Sequence, residues 1–357
     1  MTGGWKVKQP ELFDVTIIGG GPAGLYASFY SGLREMKTKI IEFQPHLGGK
    51  VHIYPEKMIW DVGALTPVTG ARLIEQMVQQ GLTFHPTVIL NEKVEQISKE
   101  ETGHFVLETT SGERHLSKTV IVATGSGIFK PQKLQVKGAE KFEVTNLHYT
   151  VTSMQRFKDK TVILSGGGNT AIDWANELES VAKKIYLAYR KEELKGHESQ
   201  VTQLMNSSIE CLFHTEITNL IANPNQDRIE SVELTDRKKG TVHHLPVDEV
   251  IINHGYEQDI SLLNNSALPI QMVNNFYIKG SVNSASSIPG LYAAGDILHH
   301  EGKLHLIAGA FQDAANAVNQ AKLYLQPDAP QTAMVSSHHE IFQSRNRELK
   351  QRVLIKR

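Results

Sequence analysis

An α/β protein with two parallel-sheet units is what this sequence predicts, and three observations predict it. Two glycine loops, Gly19-Gly20-Gly21-Pro22-Ala23-Gly24 and Gly166-Gly167-Gly168-Asn169-Thr170-Ala171, stand far apart in one chain of 357 residues. Each follows a short, mostly apolar and β-branched run, Phe13 to Ile18 and Thr161 to Ser165, of the kind that forms a strand buried on both faces. Each is followed by a helical stretch and then by a second apolar run that ends in charge. Strand, glycine turn, helix and strand together make the unit that cradles a pyrophosphate, so the fold class is α/β with two Rossmann-like dinucleotide-binding domains.

In the first unit, Gly19 permits the tight turn, Gly21 lets the backbone approach a pyrophosphate, and Gly24 lets the following helix, roughly Ala23 to Arg34, pack on its strand. The N-terminus of that helix faces the phosphates. The next strand, Lys39-Ile40-Ile41, ends in Glu42, at about the 20-residue offset where a carboxylate accepts hydrogen bonds from ribose hydroxyls. Glu42 therefore predicts an unphosphorylated adenosine ribose, as in FAD or NAD. In the second unit Gly166, Gly168, Asn169 and Thr170 form the loop, Ile172 to Leu178 the helix, and Lys184 to Tyr189 the next strand. That strand ends in Arg190-Lys191. A guanidinium grips a 2′-phosphate through two bonds and an ammonium adds a point charge, so this loop is built for NADP(H). Two dinucleotides held face to face are what a flavin enzyme needs to receive a hydride from a nicotinamide.

Two domains are expected from the length, by the prior of about 150 residues each. A formal net charge of -1 gives no overall nucleic-acid signature, and 21% charged residues argue against general disorder. No apolar run approaches the roughly 18 residues of a membrane span, and Met1 to Pro10 lacks the apolar core of a signal peptide, so a cytoplasmic protein is expected. Cys211 is the only cysteine, which excludes an internal disulfide, a Cys-x-x-Cys redox centre and a thiolate metal cluster. The paired histidines His243-His244, His299-His300 and His338-His339 show no metal-ligand spacing, and no metal is expected.

Further along, Lys118 to Gly125 reads as a strand ending at a close backbone approach, and Gly290 to Asp296 as a similar strand ending in a carboxylate. Asp296 is placed to accept a hydrogen bond from a flavin ribitol. The helix after it, about Ile307 to Tyr324, aims its positive end at the flavin pyrimidine, where negative charge collects on reduction.

Gly19 to Gly24 with Glu42, Ala123-Thr124-Gly125, Gly166 to Ala171, and Ala293 to Asp296 occur in the order found in thioredoxin-reductase-like flavoproteins, a resemblance that covers almost the whole chain. Where thioredoxin reductase carries its Cys-x-x-Cys, this chain has Tyr149-Thr150-Val151-Thr152. That departure, with Tyr54-Pro55, Glu56, Lys57 and Asp61 and with Asn146 to Tyr149, makes it resemble more closely the thioredoxin-reductase-like ferredoxin (flavodoxin)-NADP reductases.

The resemblance implies an NADP domain, residues 128–257, inserted into an FAD domain of residues 1–127 and 258–357. It implies hydride transfer from NADPH to the flavin N5, then single-electron transfer to ferredoxin or flavodoxin, and a homodimer. No catalytic side chain beyond the flavin is expected. The FAD site is implied to include Gly19, Gly21, Ala23, Gly24, Glu42, Lys50, Tyr54, Val94, Phe129 and Asp296, with Tyr54 stacked on one flavin face. Lys50 replaces the glutamine frequent there. Counting from Asp296 puts Val335 where the family covers the other flavin face, with Ser337 at the ring edge and His338 and His339 close by. Arg345, Arg347, Lys350, Arg352, Lys356 and Arg357 oppose only Glu348, either as a solvated run or as a surface that steers an acidic partner. The rival readings are a flavin oxidase or monooxygenase, a disulfide reductase or peroxidase, and an NADPH/flavin redox sensor with little turnover.

Overall fold

The strand Leu12–Ile18 pairs in parallel along both edges, with Thr38–Ile41 on one side and Arg114–Val122 on the other, and it is buried from Val15 to Ile18. This computed structural model describes residues 10–127, 130–257 and 259–355. Two compact units emerge, one of Met1–His52, Met58–Ile128 and Gln258–Arg357, the other of Ile53–Lys57 and Phe129–Glu257.

In the first unit the sheet runs Thr87–Ile89, Thr38–Ile41, Leu12–Ile18, Arg114–Val122, Phe105–Thr109 and Val94–Lys99. The first four are parallel and the last two turn antiparallel. Arg114–Val122, which pairs with Leu12–Ile18 along one edge, is long enough to take two neighbours along the other. Its first half pairs with Phe105–Thr109, and its second half takes Leu291–Ala293 in parallel, with Ala293 opposite Val122. A strand from late in the chain is thereby set beside the first glycine loop. The helix Pro22–Leu33 packs against both Gly70–Gly81 and Ile307–Leu325.

In the second unit five parallel strands run Leu147–His148, Glu249–Ile252, Thr161–Ser165, Lys184–Tyr189 and Glu210–Phe213. An antiparallel layer, Thr215–Ala222, Ile229–Asp236 and Thr241–Pro246, covers one face through Ile217, Ile229, Val232 and Leu234. The helix Asn169–Leu178 covers the other through Ile172, Trp174, Ala175 and Leu178. It begins at the loop itself, a turn before the Ile172 start expected from apolar spacing, because Gly168 already has the extended backbone of an N-cap.

Ile53–Lys57 belongs with the second unit although the chain on both sides of it belongs to the first. Tyr54 packs against the core around Val151 and Phe157, Glu56 Oε2 accepts the Met154 amide at 2.7 Å, and Lys57 Nζ lies 2.8 Å from Asp173. The sequence marks Tyr54 to Lys57 only through its family resemblance, and nothing in its pattern points to membership of the second unit.

Asp14, on the central strand, bonds the Lys37 amide at 2.9 Å and Lys118 Nζ at 2.8 Å, and so ties three strands together. Burial pushes its carboxyl upward, but the Lys118 bond, the Lys37 amide and the charges of Lys118 and Lys322 outweigh it and hold it below the ordinary range. A depressed carboxyl stabilises the fold above its unfolded pKa and ceases to do so as pH falls through its folded value. Asp14→Asn should therefore cost on the order of 1 kcal/mol at neutral pH, and the gap to wild type should close below about pH 4, read by urea unfolding across pH. A gap independent of pH would show that charge plays no part.

Candidate functional site

The glycines of the first loop are required for three different reasons. At Gly19, with φ +106°, an added Cβ would meet the Ala123 carbonyl oxygen at 2.4 Å, so the loop lies directly on the end of the neighbouring strand. At Gly24 a Cβ would lie 1.9 Å from the Gly19 oxygen, so the helix turns back onto the loop it leaves. Gly21 is different. Its φ of -77° suits any residue, and among the described residues a Cβ there would touch nothing closer than the Gly49 Cα at 3.6 Å. Gly21 is also the N-cap of the helix Pro22–Leu33, with no side chain capping the free amides. Space beside uncapped helix amides is a cradle for an anion.

The second loop repeats this arrangement. Gly166, with φ +153°, would set a Cβ 2.5 Å from the Asn253 carbonyl oxygen, while Gly168 caps the helix Asn169–Leu178 at φ -97° with nothing among the described residues within 4 Å of its Cβ position. Gly168, Asn169 and Thr170 are exposed at this helix start. Asn169 Oδ1 accepts the His197 amide at 2.9 Å and the Gly167 oxygen accepts the Lys195 amide at 2.7 Å, so the chain beyond Arg190 folds back beside the loop.

The charges that follow the second strands differ in place as well as sign. Glu42 Oε2 accepts the Gly20 amide at 2.5 Å and Oε1 accepts the Gln44 amide at 2.8 Å, which fixes the carboxylate at the loop. An ionised carboxylate has about four acceptor sites, so capacity remains for ribose hydroxyls. In the second unit Ser165 stands opposite Ala188 as Ile18 stands opposite Ile41, so the residue in Glu42's place is Tyr189. The Tyr189 ring lies where a Gly167 side chain would begin, at 2.5 Å. Arg190 and Lys191, one and two residues further, are exposed.

Ala23 is buried at the start of the first helix, and Gly295 rests on it, since a Gly295 Cβ would come within 3.0 Å of the Ala23 Cβ. That contact brings Asp296 to the first loop, where its carboxylate is partly exposed, 3.7 Å from His305 Nδ1. Lys50 is exposed in the Gly49–Ile53 turn, which abuts Gly21. Val94 lies in the core of the first unit with Ile97 and Leu107. Tyr54 lies against the core of the second, and Phe129 is outside the described residues. Val335 is 66% exposed, and Ser337 is exposed in the following turn.

Two further features went unread in the sequence. The chain beyond the helix Ile307–Leu325 is clasped to the rest of the first unit: Arg34 Nη2 donates to the Pro330 oxygen at 2.6 Å, the Tyr30 hydroxyl accepts the Ala333 amide at 3.2 Å, and the His339 and Phe342 rings pack edge-on against Phe84. The other is Asp313, buried beside Gly295. Its signal was a charge on the stripe Ala310, Ala314, Ala317, Val318 and Ala321 of the helix Ile307–Leu325.

Gly21→Ala and Gly168→Ala should fold with a loss of no more than about 1 kcal/mol in the ligand-free protein, yet weaken dinucleotide binding roughly tenfold or more. Gly19→Ala and Gly24→Ala should not give stable protein. Thermal unfolding of the ligand-free forms and equilibrium binding separate the pairs; loss of stability at Gly21 to match Gly19 would remove the distinction.

Residues 13–321 match the family described as pyridine nucleotide-disulphide oxidoreductase. A protein of Bacillus mycoides (strain KBAB4) named ferredoxin–NADP reductase 1 is 70% identical over 343 residues, 96% of this chain and 98% of that protein. One of Bacillus licheniformis with the same name is 69% identical over 349 residues, 98% of this chain and all of that protein. Among solved structures, thioredoxin reductase of T. acidophilum superposes with a TM-score of 0.74 at 24% identity, over 89% of this chain and 99% of that one, and thioredoxin reductase of Lactococcus lactis with 0.73 at 22%, over 88% and 99%. The two structures share the fold; the identity to the curated relatives, spread over nearly the full length, carries the closer relationship. The chain is a member of the pyridine nucleotide-disulphide oxidoreductase family and, within it, of the ferredoxin–NADP reductases.

Proposed function

We propose that this ferredoxin–NADP reductase holds FAD on the Gly19–Gly24 loop and NADPH on the Gly166–Ala171 loop, and passes electrons from NADPH to ferredoxin or flavodoxin. The observation that carries the assignment is the contrast between two loops alike in backbone and opposite in charge: Glu42 at one, Arg190 and Lys191 at the other. The open Cβ positions of Gly21 and Gly168 fit a pyrophosphate at each. FAD, when bound, accepts a hydride at N5 and releases electrons one at a time.

The chain's own part is to bind and orient. The first amides of the helices after each loop donate to pyrophosphate oxygens. Glu42 accepts from the adenosine ribose of FAD and would repel a 2′-phosphate, while Arg190 and Lys191 receive that phosphate from NADPH. With FAD bound, Asp296 would hold the ribitol and the positive end of the helix Ile307–Leu325 would stabilise negative charge on the pyrimidine. In this reading residues 1–127 and 258–357 form the FAD domain and 128–257 the NADPH domain. Lys50 would lie beside the pyrophosphate, Val94 belongs to the same FAD set, and Val335 and Ser337 lie in the segment that would cover the flavin. Exposed Arg347 and Lys350 on the closing helix Glu340–Ile355 steer an acidic protein partner. The working form is a cytoplasmic homodimer; among the described residues no helix is long and apolar enough to cross a membrane.

Disulfide chemistry has no support. In place of a cysteine pair, Val151 is buried in the second core and the Tyr149 hydroxyl accepts the Leu134 amide at 3.2 Å. Burial pushes the lone Cys211 thiol up, away from the reactive thiolate.

Mixing the purified yellow protein with NADPH in the absence of oxygen should bleach the flavin, and adding ferredoxin should restore the colour as ferredoxin is reduced. A flavin that stays oxidised would overturn the reading. Replacing Arg190 and Lys191 by alanine should raise KM for NADPH by roughly tenfold or more and leave KM for NADH nearly unchanged. Steady-state kinetics with both nucleotides measure this, and equal effects would remove the 2′-phosphate from the assignment.

A further inference from the structure

A buried group of charges lies behind the Gly295–Asp296 turn. Asp313 is 4% exposed on the inner face of the helix Ile307–Leu325. Its Oδ2 accepts the Gly295 amide at 3.1 Å and bonds Lys303 Nζ, and its Oδ1 lies 3.6 Å from His300 Nε2. The Lys303 side chain is itself only 4% exposed. The backbone oxygen of Asp313 accepts the Ser284 hydroxyl at 2.9 Å, which fixes the helix at this point.

A buried ion pair is a poor way to stabilise a fold, because desolvation of both charges offsets their attraction. Its placement matters more. The carboxylate reaches the backbone amide of Gly295, whose φ of +76° allows the turn to lie against Ala23 at the first glycine loop. The same turn presents Asp296. In so dry a position an uncompensated charge would be felt strongly by any group bound at the loop.

We propose that Asp313 is a positioning residue for the flavin: it sets the turn that presents Asp296, and its balance with Lys303 governs the affinity and reduction potential of the bound FAD. The inference rests on the assignment of FAD to the first loop. Removing the carboxylate leaves the Lys303 ammonium unpaired, which favours electrons on the flavin. Removing the ammonium leaves the carboxylate unpaired, which disfavours them. A role confined to packing would loosen the turn in both cases and move the potential in one direction.

The experiment compares Asp313→Asn, Asp313→Glu, Lys303→Met and Lys303→Arg in the full chain. FAD binding to the stripped protein is followed by flavin fluorescence, and midpoint potential by anaerobic titration against reference dyes. Asp313→Asn should raise the potential, Lys303→Met should lower it, and each should weaken FAD binding by about tenfold, the loss of one charge-assisted hydrogen bond. Asp313→Glu and Lys303→Arg, which keep the charges, should stay close to wild type. Shifts of the same sign, unchanged potentials, or an Asp313→Glu as impaired as Asp313→Asn would overturn the proposal. If Asp313→Asn does not fold, the contrast of Lys303→Met with Lys303→Arg decides alone: a lower potential only in the former supports it, and no difference overturns it. Wild-type protein that binds no FAD would instead overturn the cofactor assignment itself.

Discussion

The carbonyl oxygen of Ala123 lies 2.4 Å from the point where a side chain on Gly19 would begin, and that of Asn253 lies 2.5 Å from the same point on Gly166. Each is a strand-end carbonyl against which the loop from the adjacent strand turns. No L-residue could turn there without pushing the strands apart, and a wider turn would carry the following helix away from the sheet. The approach therefore fixes where each helix begins. It sets uncapped amides at the carboxyl edge of a parallel sheet, and the open positions at Gly21 and Gly168 keep that edge clear. Strand order and helix packing serve this one placement, and the chain carries it out twice.

Much of this could be read from the residues. Thr161–Ser165 and Lys184–Tyr189 form strands with the expected ends, because continuous apolar runs bounded by turns have few other uses. Glu42 is marked by its offset from a glycine motif and Asp296 by its place at the end of a strand, and both stand beside the first loop. What spacing could not supply was register. Arg190 was matched to Glu42 by its place at a strand end, yet strand pairing puts Tyr189 there, and only the ladder of partners shows the offset. The Ile53–Lys57 segment was likewise hidden, since its attachment depends on Asp173 and the amide of Met154, far away in sequence. The buried carboxylate of Asp313 left a trace, a charge on an apolar helix face, but its partners Lys303 and Gly295 were not implied by it.

Charge is arranged differently at the surface and beneath it. Arg190, Lys191, Arg347 and Lys350 are exposed, where their field reaches solvent and is screened within about 8 Å at physiological salt. Asp313 and Lys303 are buried and nearly cancel at a distance, so their influence is local. The first kind suits capture of mobile, charged molecules, and the second suits fine adjustment of a group held in one place.

The displacement of Tyr189 relative to Glu42 has a consequence for redesign. Converting the second loop to an unphosphorylated cofactor by neutralising Arg190 and Lys191 would remove attraction for a phosphate without creating a partner for a ribose. The carboxylate proposed for that role in the first loop, Glu42, grows from the residue whose counterpart is an aromatic ring lying over Gly167. A change of preference would thus require that ring to be exchanged for an acid able to reach the Gly167 amide, and its removal would uncover the glycine it shields. On the proposed assignment, cofactor choice in this unit is coupled to packing, so a new nucleotide preference would come with a change in the loop's own rigidity.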